Sequence, residues 1–311
     1  MRHDRHSARR AENAASDPIV VDWGNVALPD AWPDRLDLRH PAHLLTYVRR
    51  WFGARRKVEL PPGLPGAARL PAYLRQEFHH LPNGVYSKRH ADGYARWFDR
   101  LMLGHTVRAR AWLAEQLVGC RAALDVGCGT GGLAGAMHAA GIPEVWALEP
   151  SPYLLQLAAP RHPAVRFVQG IVERTGFPSA RFDGVGACFL FHELPTRVAG
   201  AGLDEIRRIL VPGGRLVIAE PSPVQFRARE WRDLFMRHGR RGFYFFLVAK
   251  WMHEPFVQGW HRRDVRPWLD EHGFALVEDE TGMPIRFITA IRDAARCEGA
   301  IEGGAQPRSE S

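Results

Sequence analysis

The sequence predicts an α/β sandwich built on a mostly parallel sheet, and three observations carry that expectation. From about residue 120 to 220, short apolar runs alternate with stretches of helical character. The runs are almost continuously apolar rather than alternating, as strands buried on both faces of a parallel sheet should be. A glycine-rich turn, Asp125-Val-Gly-Cys-Gly-Thr-Gly131, joins the first run to the helix after it.

Taken in order, the strands are expected at 122–126, 145–148, 165–168, 184–191 and 215–219, with helices at 132–140, 153–159 and 203–210 between them. This alternation makes βαβ units. Gly141 and Pro212-Gly213-Gly214 sit where helices should stop. Beyond Glu220 the chain turns aromatic and basic until about 260, and a helix at 263–271 then leads into two strand-like runs, 274–278 and 285–291. The turn-rich residues 279–284 between them predict an antiparallel pair at the sheet edge. Upstream, 94–117 has helical periodicity, and 43–52 reads as a helix inside the Pro- and Trp-rich residues 18–70. Residues 1–17 and 292–311 are polar and patternless and read as disordered tails. That division leaves an N-terminal extension with lid helices over 18–117 and a main domain over 118–291, with an insertion at about 222–262.

Composition narrows the function classes. With 311 residues and 46% hydrophobic side chains, the chain can bury a core without staples. The formal charge of +8 is carried by arginine, since only Lys57, Lys88 and Lys250 are lysines. Arginine suits phosphates and carboxylates, but here it is spread along the whole chain, which reads as compositional bias. Nucleic acid is therefore the minority partner. Cys120, Cys128, Cys188 and Cys297 are widely spaced with no Cys-x-x-Cys, which excludes a disulfide framework and a zinc site by pattern and predicts a reducing, cytoplasmic setting. No run reaches the ~18 apolar residues of a membrane span.

The glycine-rich turn is the sharpest feature. Glycines at 127, 129 and 131 let the backbone approach a ligand where a side chain would collide. An acid just ahead of them, Asp125, is unhelpful to a diphosphate but suits a ligand carrying ammonium and sulfonium charges. Glu149 ends the next strand, where a carboxylate can accept from both hydroxyls of a ribose. The bland alternative is a tight turn beside a surface acid.

At these residues the chain resembles the class I S-adenosylmethionine-dependent methyltransferases, in the branch typified by the ubiquinone/menaquinone-biosynthesis enzymes. The similarity continues through Ala147-Leu-Glu-Pro-Ser151, Phe182-Asp-Gly-Val-Gly-Ala-Cys-Phe-Leu-Phe-His-Glu-Leu-Pro195 and Leu210-Val-Pro-Gly-Gly-Arg-Leu-Val-Ile-Ala-Glu220. The resemblance implies a Rossmann-like, seven-stranded sheet with an antiparallel C-terminal strand and S-adenosylmethionine at the carboxyl ends of the first strands. It also implies that Asp125, Gly127, Cys128 and Gly129 hold the methionine part, that Glu149 binds the ribose, and that Val172 and Phe189 line the pocket. Where the family usually has an Asp for the adenine, this chain has Ile171; backbone groups with apolar packing, or Glu173, stand in for it. Tyr86, in the segment before the core, is the candidate lid residue.

The resemblance further implies a small-molecule acceptor, with an oxygen of a lipid, quinone, sugar or specialised metabolite as the methylated atom. A hydroxyl must lose a proton during transfer. His192, in the loop after the fourth strand, is the first candidate base, with a structural hydrogen bond as its other reading. His253, His261 and Glu254 in the insertion are second candidates, and Glu220 either faces the cleft or caps it. The aromatic and basic stretch 226–260 fits a solvated helix packed by its aromatic side, a peripheral membrane contact, or RNA. A non-catalytic S-adenosylmethionine-binding protein and an RNA methyltransferase are the alternative functions.

Overall fold

A computed structural model describes residues 16–228, 230–252 and 254–294. One sheet contains β1 (Ala122–Val126), β2 (Glu144–Glu149), β3 (Arg166–Gln169), β4 (Phe182–Cys188), β5 (Leu210–Pro221), β6 (Phe274–Thr281) and β7 (Ile285–Arg292). Their order is β3-β2-β1-β4-β5-β7-β6. Strands β3 to β5 run parallel, and β7 is antiparallel to both of its neighbours. The seven-stranded, mostly parallel sandwich expected from the sequence is therefore the fold observed.

The helices are α1 (Pro41–Phe52), α2 (Lys88–Leu101), α3 (His105–Gln116), α4 (Gly132–Ala139), α5 (Pro152–Arg161), α6 (Thr196–Ile209), α7 (Pro223–Arg227), α8 (Trp231–Trp251), α9 (Val257–His261) and α10 (Val265–Glu271). All five residues of β1 are buried, because successive side chains enter opposite faces and both faces are covered. Leu124 and Val126 join a core with Val185, Leu216 and Ile218, roofed by Leu203 and Ile206 of α6. Ala123 faces the other way, into a core with Leu113 of α3, Leu133 and Met137 of α4, and Leu155 of α5.

Four boundaries differ from expectation, each for a local reason. The single helix read over 94–117 is α2 and α3, broken where Leu103 (φ 50°) and Gly104 (φ 72°) take left-handed conformations. The fourth strand ends at Cys188 rather than 191, since Phe189 is also left-handed, at φ 61°. Helix α6 stops at Ile209, and Pro212-Gly213-Gly214 lies in the β5 segment that follows it. Asp17 pairs with Arg181 at 2.8 Å and β7 runs to Arg292, so described structure reaches into both segments read as tails; residues 1–15 and 295–311 lie outside the described residues.

The extension wraps the β2–β3 side of the sheet. The Trp23 indole N–H donates to the Phe167 carbonyl at 3.2 Å, Tyr153 Oη to the Pro29 carbonyl at 2.8 Å, and Gln156 Nε2 to the Val26 carbonyl at 2.6 Å. A third apolar cluster, containing Leu28, Val58, Leu64, Leu70 and Tyr86, packs on Tyr153 and Leu154 of α5. The roof over the cofactor end is thus secured by burial.

Candidate active site

The strand order reverses between β1 and β4, and their carboxyl ends open on a cleft. Its floor is the glycine-rich turn, its side Glu149 and Pro150, and its roof Gln76, Val85 and Tyr86 of the extension. The turn needs its glycines. Gly127 and Gly129 sit at φ 69° and 55°, and the N–H groups of Gly127 and Cys128 both donate to the Leu148 carbonyl, at 2.8 and 3.0 Å. A Cβ on Gly127 would stand 2.8 Å from Leu190 Cδ1.

Two buried acids brace the turn. Asp125 Oδ2 accepts from the Ala134 N–H at 2.9 Å, holding the first turn of α4, while Oδ1 has no hydrogen-bond partner. Glu149 accepts from the N–H groups of Gly129 and Ser151, both at 2.9 Å. Burial pushes the Asp125 carboxyl up to about 7 and the Glu149 carboxyl up to about 8, against the opposing effect of these N–H groups. Arg110 lines the same cleft, held by Asp99 at 2.9 Å and set against Gly132 at the start of α4. Buried acids near neutrality favour a cationic ligand, and the guanidinium favours a carboxylate. That donor set, with the orphaned Asp125 oxygen and a floor that excludes Cβ atoms, fits the sulfonium, amino and carboxylate groups of S-adenosylmethionine.

A second, narrower chamber adjoins the cleft, and His79, Tyr94, Phe98, Phe189 and Glu193 line both. Its other walls are mostly apolar: Met102, Phe226, and Phe245, Val248 and Ala249 of α8. Phe189 is the partition. Its strained conformation is secured by donation from its N–H to the Ala219 carbonyl at 2.8 Å and by the Phe98 ring set edge-on at 6.0 Å.

One end of the chamber is polar. Glu193 Oε1 meets His79 Nε2 at 2.7 Å; His79 Nδ1 and His192 Nε2 each lie 3.6 Å from Glu254 Oε1; His192 Nδ1 meets Glu220 Oε2 at 2.6 Å. The result is an alternating carboxylate–imidazole chain. Burial opposes charge on His192, but Glu254 and Glu220 outweigh it and hold the ring well above the usual histidine range. Burial likewise opposes charge on Glu254, yet His192 and His79 pull its carboxyl down to about 2. His79 is raised in the same way, by Glu193 and Glu254 against burial. Glu254 Oε2 is buried beside the chamber with no hydrogen-bond partner.

Gly127, Cys128, Gly129, Glu149, Phe189 and Tyr86 line the cleft, and Asp125 lies directly behind its floor. Val172 does not line it: its side chain fills the core under α6, 3.1 Å from where a Cβ on Gly202 would stand. Ile171 faces a separate surface hollow, and Glu173 is taken by the Tyr73 hydroxyl at 2.9 Å, so neither lines the cleft. His192 reaches the chamber with Nδ1 on Glu220 and Nε2 3.6 Å from Glu254, and these two carboxylates favour the charged ring, which weighs against its reading as a resting base. His261 lines a different hollow, its ring tilted against Phe226 with centroids 4.4 Å apart, where burial lowers it to about 4 and both ring nitrogens lack hydrogen-bond partners. His253 lies outside the described residues.

Four residues were not singled out as site residues from sequence: Arg110, Tyr94, His79 and Glu193. Tyr94 and Phe98 are one helical turn apart on α2, a signal visible in the pattern. Nothing local marks the others, because long-range packing assembles them. Glu220 caps rather than faces the cleft: Oε1 accepts from the N–H groups of Leu190 and Phe191 at 2.9 and 2.6 Å, and Oε2 from that of His192 at 3.3 Å.

Comparison with known proteins agrees with this geometry. A family model described as a methyltransferase domain matches residues 123–214. The chain is similar to the demethylmenaquinone methyltransferase of Clavibacter sepedonicus, 31% identical over 193 residues that cover 58% of this chain and 74% of that one. It is also similar to EEF1A lysine methyltransferase 4 of Mus musculus, 27% identical over 218 residues covering 61% and 80%. Among solved structures, the 1,6-didemethyltoxoflavin-N1-methyltransferase of Burkholderia thailandensis, bound to S-adenosylhomocysteine, aligns with a TM-score of 0.46 at 21% identity over 77% of this chain and 95% of that one. The chain belongs to the class I S-adenosylmethionine-dependent methyltransferases. S-adenosylmethionine is the cofactor that defines this family. The chain spans 40% of the length of two further demethylmenaquinone methyltransferases and 64% of a third. Among the described residues no helix is long and apolar enough to cross a membrane, and no cluster of side chains is suited to a metal ion.

Proposed function

We propose that the chain methylates an oxygen of a small, largely apolar acceptor of the lipid or quinone kind. The observation that carries this reading is the shared wall: cleft and chamber meet at Phe189, so ligands in the two would abut there. The bound cofactor supplies an activated methyl group on sulfur. Glu149, Asp125 and the glycine-rich turn would hold its cationic and ribose parts, and Arg110 its carboxylate. Pro150 and Leu154 offer apolar packing to the adenine in place of the missing Asp.

In-line displacement is governed by positioning and the exclusion of water. Phe98, Phe189 and Phe245 would confine the acceptor, and Glu254 Oε2 would accept the hydrogen bond of its hydroxyl and take the proton as the methyl arrives. The imidazoliums of His79 and His192 keep Glu254 ionised at rest, and Glu220 positions His192. A mostly apolar chamber whose polar groups are gathered at one end disfavours a sugar, whose many hydroxyls would lose hydration unpaired.

The test is incubation of the chain with S-adenosylmethionine labelled on its methyl group, alongside hydroxylated quinones, a lipid extract, bulk RNA and a protein extract. Label in the organic phase, on a product heavier by one methylene, is the expected result. Label in protein would move the acceptor to a side chain, as the name of the mouse relative suggests, and label in RNA would restore the nucleic-acid alternative. Tight cofactor binding with no labelled product anywhere would mark a binding protein.

A further inference from the structure

Helix α8 has two apolar faces, and only one is used by the fold. Leu234 and Phe245 are buried, and Phe245, Val248 and Ala249 wall the chamber. The opposite side carries Trp231, Phe235 and Met236 before a break at Gly239 (φ 61°, ψ −149°), and Phe243, Leu247 and Trp251, spaced one turn apart, after it. These side chains face solvent: Met236 is 83% exposed, Trp251 51% and Leu247 48%. The break folds the two halves together, so Trp231 meets Phe243 at 5.3 Å and Phe235 at 6.1 Å. An aromatic cluster is thus assembled in water with nothing over it.

The same helix carries Arg232, Arg237, Arg240, Arg241 and Lys250 against a single acid, Asp233. Beside it, the α2–α3 corner is tied to the helix by donation from Tyr244 Oη to the Leu101 carbonyl at 2.6 Å, and it adds exposed Trp97 and Leu103.

We propose that this outer face of α8 docks on an anionic lipid bilayer surface. An amphipathic helix with aromatic and aliphatic residues flanked by arginine lies in the plane of the headgroups, its apolar side chains entering the acyl boundary and its cations meeting lipid phosphates. Charge selects this occupant over a second copy of the chain, since a two-fold contact would press like arginines together. The exposed Met236 and Leu247 select it over RNA, which would satisfy the cations and leave these aliphatic side chains in water. The docking helix is also a wall of the acceptor chamber, which sets that chamber next to the lipid.

Flotation of the full chain with vesicles tests the proposal: phosphatidylcholine alone, against phosphatidylcholine mixed with phosphatidylglycerol. Binding to the mixed vesicles is expected to be at least about tenfold tighter and to weaken with added salt. The exposed double variants Arg240→Glu/Arg241→Glu and Met236→Ser/Leu247→Ser are each expected to lose about tenfold of that binding, while cofactor titration and melting show the fold intact. Absence of binding to either vesicle overturns the proposal, and so does equal binding by wild type and both variants. Concentration-dependent dimerisation without vesicle binding would assign the face to a second copy, and RNA retention without vesicle binding would assign it to nucleic acid; either overturns it. Vesicle binding needs no acceptor, so a chain that docks and methylates nothing would sink the proposed reaction while leaving the docking face standing.

Discussion

The cofactor cleft and the acceptor chamber are neighbours built on opposite plans. The cleft is local: its floor is one turn of nine residues or so, and its two acids close the strands on either side of α4. The chamber is assembled from the extension (His79), α2 (Phe98), the loop after β4 (Phe189, His192, Glu193), β5 (Pro221) and the insertion (Phe245, Glu254). Their electrostatics differ as well. In the cleft, burial outweighs the backbone donors and holds Asp125 and Glu149 near neutrality. In the chamber, paired charges outweigh burial and keep both partners ionised. Burial alone therefore does not set the charge of a site; what is buried beside each group does.

The strongest break in this comparison is Glu149→Ala. It removes the carboxyl group that would meet the ribose hydroxyls and frees the turn it braces, an expected loss of about 3 kcal/mol, or roughly 150-fold in S-adenosylhomocysteine affinity by calorimetry. A loss below about fivefold would detach Glu149 from the cofactor. Next is Glu254→Gln, expected to lower kcat roughly 100-fold with cofactor affinity unchanged. Equal kcat in the variant would remove Glu254 from proton transfer and leave it a structural partner of His192.

The third probe is pH, and the two compartments respond with opposite signs. Asp125 and Glu149 are raised to about 7 and 8, so a cationic ligand must displace protons, and its affinity should climb from pH 6 to 9 by up to about tenfold per unit per proton. Titrations in buffers of different ionisation enthalpy would count the protons released. On the chamber side, the raised His192 contributes stability fully below the ordinary histidine pKa and loses it as pH rises through its folded value. Glu254, lowered to about 2, contributes above the ordinary carboxyl pKa and loses it as pH falls toward that value. Raised Asp125 and Glu149 also lose stability as pH rises through about 7 and 8, so melting temperature should be highest on the acid side of neutrality, and its fall toward low pH should flatten in the Glu254→Gln protein. The smallest effect is Tyr86→Phe, for which a lost hydroxyl contact costs about 1 kcal/mol, near fivefold in cofactor affinity; an unchanged dissociation constant would leave Tyr86 as roof packing only.

The difference in plan also explains what could be read from the amino-acid order. Strands β1 to β5 and the floor of the cleft were readable because continuous apolar runs and glycines at 127, 129 and 131 impose structure within a few residues. The break at Leu103–Gly104 was not, although glycine is a helix-stop residue, because the apolar periodicity carries on beyond it. Val172 was misplaced by one layer: the residue next to a binding loop can as easily turn into the core, and Gly202 leaves the space for it to do so. The chamber was readable only as a scatter of titratable residues. His192 and Glu254 stood out, but their protonation states follow from each other and from His79 and Glu220, which no local spacing brings together.

Glu220 spends its two oxygens on three consecutive backbone N–H groups and the His192 ring. The loop bracketed by Phe189 and Glu193, which walls both compartments, is thereby fastened at one carboxylate on the end of β5. A ligand in either compartment that moved this loop would thereby change the affinity of the other compartment, and thermodynamic reciprocity would require the same factor in both directions. Glu220, a single side chain at the end of β5, is where such a shift would have to be relayed.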